Sequence, residues 1–408
     1  MFSGRKGNPR RVRAGIRRPS LESHRKVAEF GPAAWAADRQ GARLSWDPGN
    51  GVGFLKDYGW NAEFDAAFAA LGRAELQPAR VIEGQRGVYR IVLAAGERRG
   101  EIAGRLRLND GVPAVGDWVA VEVVAGEDAA VIHHVLERQS KISRKLAGRA
   151  TREQVLAANL DTVFMVTSCN EDFSPRRIER YLTMIWESGA RPVVLLNKAD
   201  LADDPGALAG VAESVALGVP VHAVCARRDG GLDALETYLE PGRTIALIGS
   251  SGVGKSTIVN RLLGHEVQAV QETLEQDAQG RHTTRSRELF RLPGGALVVD
   301  TPGLRELALW ITDTGLGQTF ADIEELSAEC RFHDCAHETE PACAVKEAVA
   351  GGRLAAGRLE SYHRLRKELD HVEQRLDPAA RSGTKSRWRT VHRNLRAARK
   401  KGWFGDKT

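Results

Sequence analysis

Two short motifs in this sequence carry the side chains that nucleotide chemistry requires. Residues 249–256 read Gly-Ser-Ser-Gly-Val-Gly-Lys-Ser, a complete Walker A loop. In such a loop the glycines let backbone N–H groups close around phosphate oxygens, the lysine reaches the β- and γ-phosphates, and the final serine binds magnesium. A chance glycine-rich turn is the alternative, but an apolar segment enters this loop and a helical segment leaves it. The predicted contacts are Gly249, Ser250, Ser251, Gly252, Val253, Gly254, Lys255, Ser256 and Thr257.

The second motif, Asn-Lys-Ala-Asp at residues 197–200, predicts that the bound base is guanine. The Asp200 carboxylate can accept hydrogen bonds from guanine N1–H and the exocyclic amine, whereas adenine offers no matching pair of donors. An ordinary turn with Asp200 as a helix cap is the alternative. A later apolar segment ends in Cys-Ala, where GTPases usually have Ser-Ala and the alanine N–H contacts the guanine carbonyl. The predicted base contacts are Asn197, Lys198, Asp200, Cys225 and Ala226.

The order of these two motifs is informative. The guanine motif precedes the Walker A loop in this chain, whereas ordinary small GTPases have the phosphate loop first. The sequence therefore predicts a GTP-binding domain that is circularly permuted.

Two further segments have the positions of nucleotide-sensitive switches. Residues 300–303 read Asp-Thr-Pro-Gly after an apolar segment, so Asp300 would hold magnesium through water and the Gly303 N–H would contact the γ-phosphate. Residue 304 is leucine, where Ras-like enzymes have a water-orienting glutamine. Intrinsic hydrolysis is therefore expected to be slow, or to use another residue.

The other switch is predicted at residues 280–285, which read Gly-Arg-His-Thr-Thr-Arg. His282 is a candidate to orient the attacking water, and a solvated histidine in a polar loop is the alternative. Lys255 would neutralise charge on the transferring phosphoryl group. The pattern does not choose between the two threonines as magnesium ligand. The candidate magnesium ligands are Ser256, Thr283, Thr284 and Asp300.

Four soft ligands near the C-terminus predict a structural metal site. Cys330, Cys335, His337 and Cys343 form a Cys₃His set, which is sufficient for tetrahedral zinc and leaves no open coordination position for catalysis. Four reduced residues without a metal are the alternative. Five cysteines in 408 residues, three of them within 330–343, do not suit a disulfide framework.

The elements that must position these residues follow two patterns. A small closed β-barrel, most plausibly an OB-fold, is predicted by five short apolar segments, at 79–83, 88–93, 102–108, 118–124 and 129–136. Apolar residues at helical spacing over 58–71 predict a short helix that precedes the barrel in the chain. A generic barrel with only a packing role is the alternative. Strands at 162–167, 192–196, 219–224, 244–248, 288–292 and 296–299, with helices at 177–188 and 255–263, predict a parallel sheet covered by helices.

The chain therefore divides into five predicted parts. They are a disordered basic extension (1–52), an OB-fold domain with a short leading helix (53–148), a circularly permuted α/β P-loop GTPase domain (149–322), a helical zinc-binding domain (323–376) and a basic tail (377–408).

Composition and charge narrow the class of protein. Hydrophobic content is 42% and no long apolar run or secretory h-region is present, which predicts a cytoplasmic protein without a membrane span. The formal net charge is +6, but residues 381–401 carry nine Lys or Arg and no acid. Such tails are attracted to polyanions, so nucleic acid is the favoured partner, with a merely solvated end as the alternative.

The order of motifs together with the cysteine spacing resembles the family of small-ribosomal-subunit-dependent GTPases called RsgA or YjeQ. The resemblance runs from about residue 58 to the helices after Cys343, on the motifs at 197–200, 249–257, 280–284 and 300–303 and on the Cys₃His set. It implies an OB-fold, a permuted GTPase domain and a zinc domain acting on the small ribosomal subunit and its rRNA late in maturation. It also implies hydrolysis of GTP that the subunit stimulates. Residues 1–52 have no counterpart in it, and Cys225 departs from the usual serine.

Three functional classes are open from the sequence. The preferred one is a monomeric GTPase that uses magnesium and hydrolyses GTP to GDP and phosphate. The second is a GTP-gated rRNA-binding scaffold whose hydrolysis is incidental. A P-loop ATPase or kinase is the third, and Asp200 disfavours it.

Overall fold

The structure is a computed structural model that describes residues 53–85, 87–104, 106, 111–145, 153–264, 287–300 and 313–376. The N-terminal extension, the predicted switch at 280–285, Gly303 and the basic tail lie outside these residues. Helix α1 (Ala62–Ala69) leads into the first domain. It begins after Asn61, whose side chain accepts hydrogen bonds from the Glu63 and Phe64 N–H groups, so it is shorter than the predicted helix over 58–71.

A five-stranded closed barrel follows, as predicted. Its strands are β1 (Gln77–Gln85), β2 (Val88–Leu93), β3 (Gly96–Ile102), β4 (Trp118–Val123) and β5 (Ala129–Val135). The strands pair in the order β1-β2-β3-β5-β4, and β4 returns to β1 and closes the barrel. All of these pairings are antiparallel except that of β3 with β5. Helix α1 covers one end of the barrel, where Trp60, Phe64 and Phe68 form an apolar cluster with Trp118.

The prediction of a third strand at 102–108 was wrong, because the third strand lies at Gly96–Ile102. The chain instead turns back directly after β2, and β3 pairs with β2 from Leu93↔Gly96 to Val88↔Glu101. Beyond Ile102 the backbone bends, with the Leu106 N–H donating to the Ala103 carbonyl at 2.9 Å. Strand β3 reads Gly-Glu-Arg-Arg-Gly-Glu-Ile, which has no apolar pattern that could have indicated a strand. It forms because it pairs with β2 in a hairpin.

The α/β domain begins with a hairpin that the sequence pattern did not predict, β6 (Lys141–Lys145) and β7 (Glu153–Ala158). A sheet then forms in the order β10-β9-β8-β11-β13-β12, with only β12 antiparallel to its neighbour. Its strands are β8 (Thr162–Ser168), β9 (Arg191–Asn197), β10 (Val221–Ala223), β11 (Thr244–Ile248), β12 (Arg287–Arg291) and β13 (Leu297–Asp300). Its helices are α2 (Pro175–Ser188), α3 (Pro205–Val215) and α4 (Lys255–Leu263), with short 3₁₀ turns at Ala199–Leu201 and Asp233–Tyr238.

The central strands of this sheet are buried along their whole length because helices cover both faces. Every residue of β8 and of β11 is buried. Two apolar clusters, one with Val163, Met165 and Ile178 and one with Phe164, Ile245 and Ile258, fill the two sides. The prediction of a parallel sheet with helices on both faces is confirmed.

The barrel and the sheet are joined by backbone pairing and by side-chain hydrogen bonds. Strand β1 pairs with β12 through Glu83↔Glu288 and Gly84↔Arg287. In addition, Arg80 of β1 is 1% exposed and donates hydrogen bonds to the Tyr58 carbonyl, to the Asn159 carbonyl at 3.1 Å and to Thr244 Oγ1 at 3.0 Å. Burial lowers the pKa of Arg80 to about 10, which still leaves the guanidinium charged at neutral pH.

Four helices form the C-terminal part: α5 (Asp313–Thr319), α6 (Ala321–Ser327), α7 (Ala344–Ala350) and α8 (Ala356–Leu376). Phe320, Ile323, Val345 and Leu365 lie in their shared core. Among the described residues, no helix combines the length and apolar character needed to cross a membrane.

Candidate nucleotide and metal sites

The predicted nucleotide motifs lie at one edge of the sheet. The Walker A loop follows β11 and the guanine motif follows β9. Strand β8 lies between β9 and β11, and all three run parallel, so their carboxyl ends meet at the same edge. Ligands bind at this edge in open α/β sheets.

Two glycines of the Walker A loop are required by close contacts. Gly249 has φ +145°, and a Cβ there would lie 2.0 Å from the Val166 carbonyl oxygen. Gly254 has φ +98°, and a Cβ there would lie 2.3 Å from Asn197 Nδ2. Helix α4 begins at the next residue, Lys255, so its N-terminus faces the loop. The sequence therefore builds the phosphate-binding geometry locally, in the expected place.

The Lys255 ammonium group contacts the loop itself. Its Nζ donates to the Gly249 carbonyl oxygen at 2.7 Å and also to the Ser250 carbonyl oxygen. An ammonium held over the loop in this way can transfer its hydrogen bonds to phosphate oxygens when a nucleotide enters.

Asn197 connects three loops. Its Nδ2 donates to the Val253 carbonyl oxygen at 2.8 Å, and its Oδ1 accepts from the Ala226 N–H at 3.2 Å. The side chain is buried, with 2% exposure. Because one amide contacts the phosphate loop and the loop after β10, the guanine motif, the phosphate loop and the Cys225-Ala226 turn are held in fixed relation.

The Cys225 thiol contacts the carboxylate of Asp200, the residue predicted to read the base. Its Sγ donates to Asp200 Oδ1 at 3.0 Å. This hydrogen bond is the main cause that lowers the pKa of Asp200, with Arg228 and Arg227 adding to it. Asp200 is therefore ionised and exposed, as the predicted role as an acceptor requires.

Of the remaining predicted site residues, some lie in the part of the chain that the structure describes and others lie outside it. Ser256 and Thr257 lie in the first turn of α4. Asp300 ends β13, which pairs directly with β11, the strand before the Walker A loop. His282, Thr283, Thr284 and Gly303 lie outside the described residues.

One residue that the sequence did not indicate also contacts the Walker A loop. Arg177 Nη1, from α2, donates to Ser250 Oγ at 2.9 Å. Nothing in the sequence around residue 177 predicts this contact, because it depends on how the first turn of α2 packs beside β11.

The four predicted metal ligands come together. Their ligand atoms all lie within 4.8 Å of one another. Cys330 Sγ is 3.8 Å from Cys343 Sγ, and His337 Nδ1 is 3.4 Å from Cys343 Sγ and 3.7 Å from Cys330 Sγ. Tetrahedral zinc with ordinary bond lengths needs a sulfur–sulfur separation of about 3.8 Å and a sulfur–nitrogen separation of about 3.6 Å. The donor set therefore fits one tetrahedral divalent metal.

Protonation in this cluster depends on whether a cation is present. Burial raises the pKa of the Cys335 thiol to about 12, and the neighbouring sulfurs of Cys343 and Cys330 contribute to the rise. Burial lowers the pKa of His337, which keeps its imidazole neutral. Three adjacent thiols can lose their protons together only when a cation supplies the opposing charge.

Comparisons with known proteins agree with this geometry. A family model described as RsgA GTPase matches residues 135–310. The small ribosomal subunit biogenesis GTPase RsgA of Syntrophotalea carbinolica is 43% identical over 350 residues, which cover 83% of this chain and 96% of that protein. YjeQ from Thermotoga maritima is 27% identical, with a TM-score of 0.54 over 72% of this chain and 98% of that one. YloQ, described as a circularly permuted GTPase, has the same TM-score at 24% identity, over 72% of this chain and 96% of its own, and so supports the fold.

Proposed function

This chain belongs to the RsgA GTPase family, and from that premise we propose that it hydrolyses GTP to GDP and phosphate during late maturation of the small ribosomal subunit. The observation that carries the proposal is the Asn197 amide, which fixes the guanine motif and the phosphate loop to each other. A site built in this way reads the base and the phosphates of one nucleotide at the same time. Its relatives named small ribosomal subunit biogenesis GTPase RsgA supply the cellular context.

The residues of the site would share the work as follows. Asp200 would read guanine, and the Cys225-Ala226 turn, which Asn197 holds through the Ala226 N–H, would lie beside the guanine carbonyl. The backbone of the Walker A loop surrounds the phosphates, and Lys255 neutralises their charge. The proposed nucleotide contacts are those at 197, 198, 200, 225, 226 and 249–257, together with Gly303.

Magnesium would bind with the nucleotide. Ser256 stands at the start of α4, and Asp300 stands at the end of β13, on the strand beside the one that carries the phosphate loop. One of Thr283 and Thr284 would complete the protein contribution. His282 would orient the attacking water when the subunit is bound. Residue 304 is leucine, so no glutamine is available at the usual place.

The C-terminal metal is proposed to be zinc. Three thiolates and one imidazole at these separations match structural zinc sites, and the four ligands leave no position for a substrate. Bound zinc would hold together the loop between α6 and α7, which contains few apolar residues of its own.

The proposed cellular setting follows from the function. The protein would act in the cytoplasm as a monomer, with GTP or GDP, the small ribosomal subunit and its rRNA as partners. The barrel, the permuted GTPase domain and the zinc domain would divide the chain near the boundaries predicted from the sequence, with the β6–β7 hairpin lying across the first of them, and the basic segments 1–52 and 377–408 would flank them in the sequence.

The decisive measurement is GTP turnover with and without purified small ribosomal subunits. The proposal expects slow intrinsic turnover that rises when subunits are added, with large subunits as the control. Slow turnover that small subunits leave unchanged, combined with tight binding to them, would instead indicate a GTP-gated rRNA-binding scaffold.

A further inference from the structure

Helix α2 places a charged side chain against the phosphate loop. Arg177 Nη1 donates to Ser250 Oγ at 2.9 Å and to the Asp172 carbonyl oxygen at 3.1 Å, and it also pairs with the Asp172 carboxylate. Ser250 is the second residue of the Walker A loop. The guanidinium therefore links the loop after β8 to the loop after β11.

The neighbouring turn of α2 supports the same contact. Tyr181 lies four residues after Arg177, so both side chains stand on one face of the helix. Burial raises the pKa of Tyr181, while the positive charges of the nearby Arg177 and Arg180 act in the opposite direction. Tyr181 therefore lies beside Arg177 on the face of α2 that carries the contact to Ser250.

Another face of α2 is anchored in the C-terminal helices. Glu179, two residues after Arg177, pairs with Arg358 at 3.0 Å, and the two side chains are 2% and 5% exposed. At the ends of this face, Arg176 pairs with Glu360 and Arg180 with Glu368. Helix α2 therefore cannot move away from the phosphate loop without disturbing a buried ion pair.

Binding of a nucleotide makes the Arg177 contact more important. In the present arrangement Lys255 holds the Gly249 and Ser250 carbonyl groups. When phosphates enter, the lysine must leave these carbonyl groups for phosphate oxygens. The loop then loses its internal cation, and the hydrogen bond from Arg177 to the Ser250 hydroxyl still restrains it.

We infer that Arg177 is a positioning residue for nucleotide binding, acting through the Ser250 hydroxyl to hold the phosphate loop in its binding form. Arg177 touches the loop and no reacting atom, so its removal is expected to weaken nucleotide affinity and leave the chemical step nearly unchanged. The inference rests on the proposed GTPase function.

The test compares Arg177→Met, Ser250→Ala and the double variant, with Arg176→Met as a matched control. Arg176 is the adjacent arginine of α2 and pairs on the surface with Glu360, at 50% and 65% exposure. Fluorescent GTP and GDP analogues give the Kd values, and turnover gives kcat and KM. We expect Arg177→Met to raise Kd and KM by about 5- to 20-fold, because a hydrogen bond from a charged group is lost from a half-exposed site. We also expect kcat to change less than about twofold.

Two further results separate positioning from general stability. The double variant should bind no more weakly than the weaker-binding of the two single variants, because both changes remove the same hydrogen bond. Arg177→Lys should restore part of the affinity, and Arg176→Met should bind like the parent protein. Additive losses in the double variant, or an unchanged Kd in Arg177→Met, would overturn the inference. Failure of the parent protein to bind GTP would instead contradict the proposed function.

Discussion

Removing the Asn197 amide should disrupt three loops with one substitution. In Asn197→Ala the Val253 carbonyl loses its donor at 2.8 Å, and the Ala226 N–H loses its acceptor at 3.2 Å. Both partners belong to loops that surround the proposed nucleotide site. Asn197 is 2% exposed, so water cannot readily replace the missing amide in the folded protein.

The magnitude follows from these two bonds. Leaving a buried polar group unsatisfied costs about 1–3 kcal/mol, so two groups together correspond to about 2–4 kcal/mol when the loops relax only partly. If the loops rearrange instead, the same free energy appears as the cost of restoring them when nucleotide binds. In that case GTP affinity should fall by about 30- to 700-fold, since each 1.4 kcal/mol is a factor of ten.

The assay therefore measures both quantities in one variant. Urea unfolding gives the change in stability, and titration with a fluorescent GTP analogue gives the change in affinity. Asn61→Ala is the control, because Asn61 Oδ1 also accepts two backbone hydrogen bonds but caps α1. It should lose about 1 kcal/mol of stability with its affinity unchanged. If Asn197→Ala had the same GTP affinity and the same free energy of unfolding as the parent protein, within the errors of the two measurements, the argument that this amide fixes the loops would be refuted.

Four other predictions concern the C-terminal part, the first switch and the tail. Arg358→Met should destabilise the protein by about 3–5 kcal/mol, because Glu179 would remain buried without its partner. Burial already raises the pKa of Glu179, so its carboxylate in this variant should take up a proton when the pH is lowered from 8 to 5.5. Thermal unfolding should then show that part of the lost stability is recovered. A loss of stability that does not change with pH would count against this prediction. Elemental analysis should find one zinc per chain, and chelation should increase protease cleavage after α6 while nucleotide binding persists, whereas a folded metal-free preparation would contradict the zinc proposal. His282→Ala should keep its GTP affinity and lose most of the turnover that small subunits stimulate, and full stimulation would make the histidine a bystander. Deleting the residues after Asp377 should weaken subunit binding in sedimentation assays and flatten its salt dependence, and equal salt slopes would show that the tail is merely solvated.

Much of the site could be predicted because its geometry is local in sequence. Strand β11 and helix α4 have the bounds that the sequence predicts, since a continuous apolar run, a glycine-rich loop and a helical segment follow one another there. The metal ligands also lie close together in the chain, within residues 330–343, so their types and spacing were sufficient to indicate them.

The parts that could not be predicted depend on contacts between distant segments. Strand β3 is polar and forms by pairing with β2, so no apolar alternation indicates it. The bridging role of Asn197 needs Val253 and Ala226, which are 56 and 29 residues away. Arg177 meets Ser250 across 73 residues. Sequence patterns identify residues with chemical potential, whereas partners of this kind appear only when the chain is folded.

The buried Arg80 has a consequence for how this protein could evolve. Its guanidinium belongs to the barrel, but its hydrogen bonds end on Tyr58, on Asn159 and on Thr244 at the start of the strand that carries the phosphate loop. A barrel transferred to another protein would take along a buried cation without its acceptors, and a GTPase domain left behind would retain acceptors without their donor. The barrel is therefore not an interchangeable module. Exchange of barrels between relatives should succeed only when the arginine and its acceptors are transferred together.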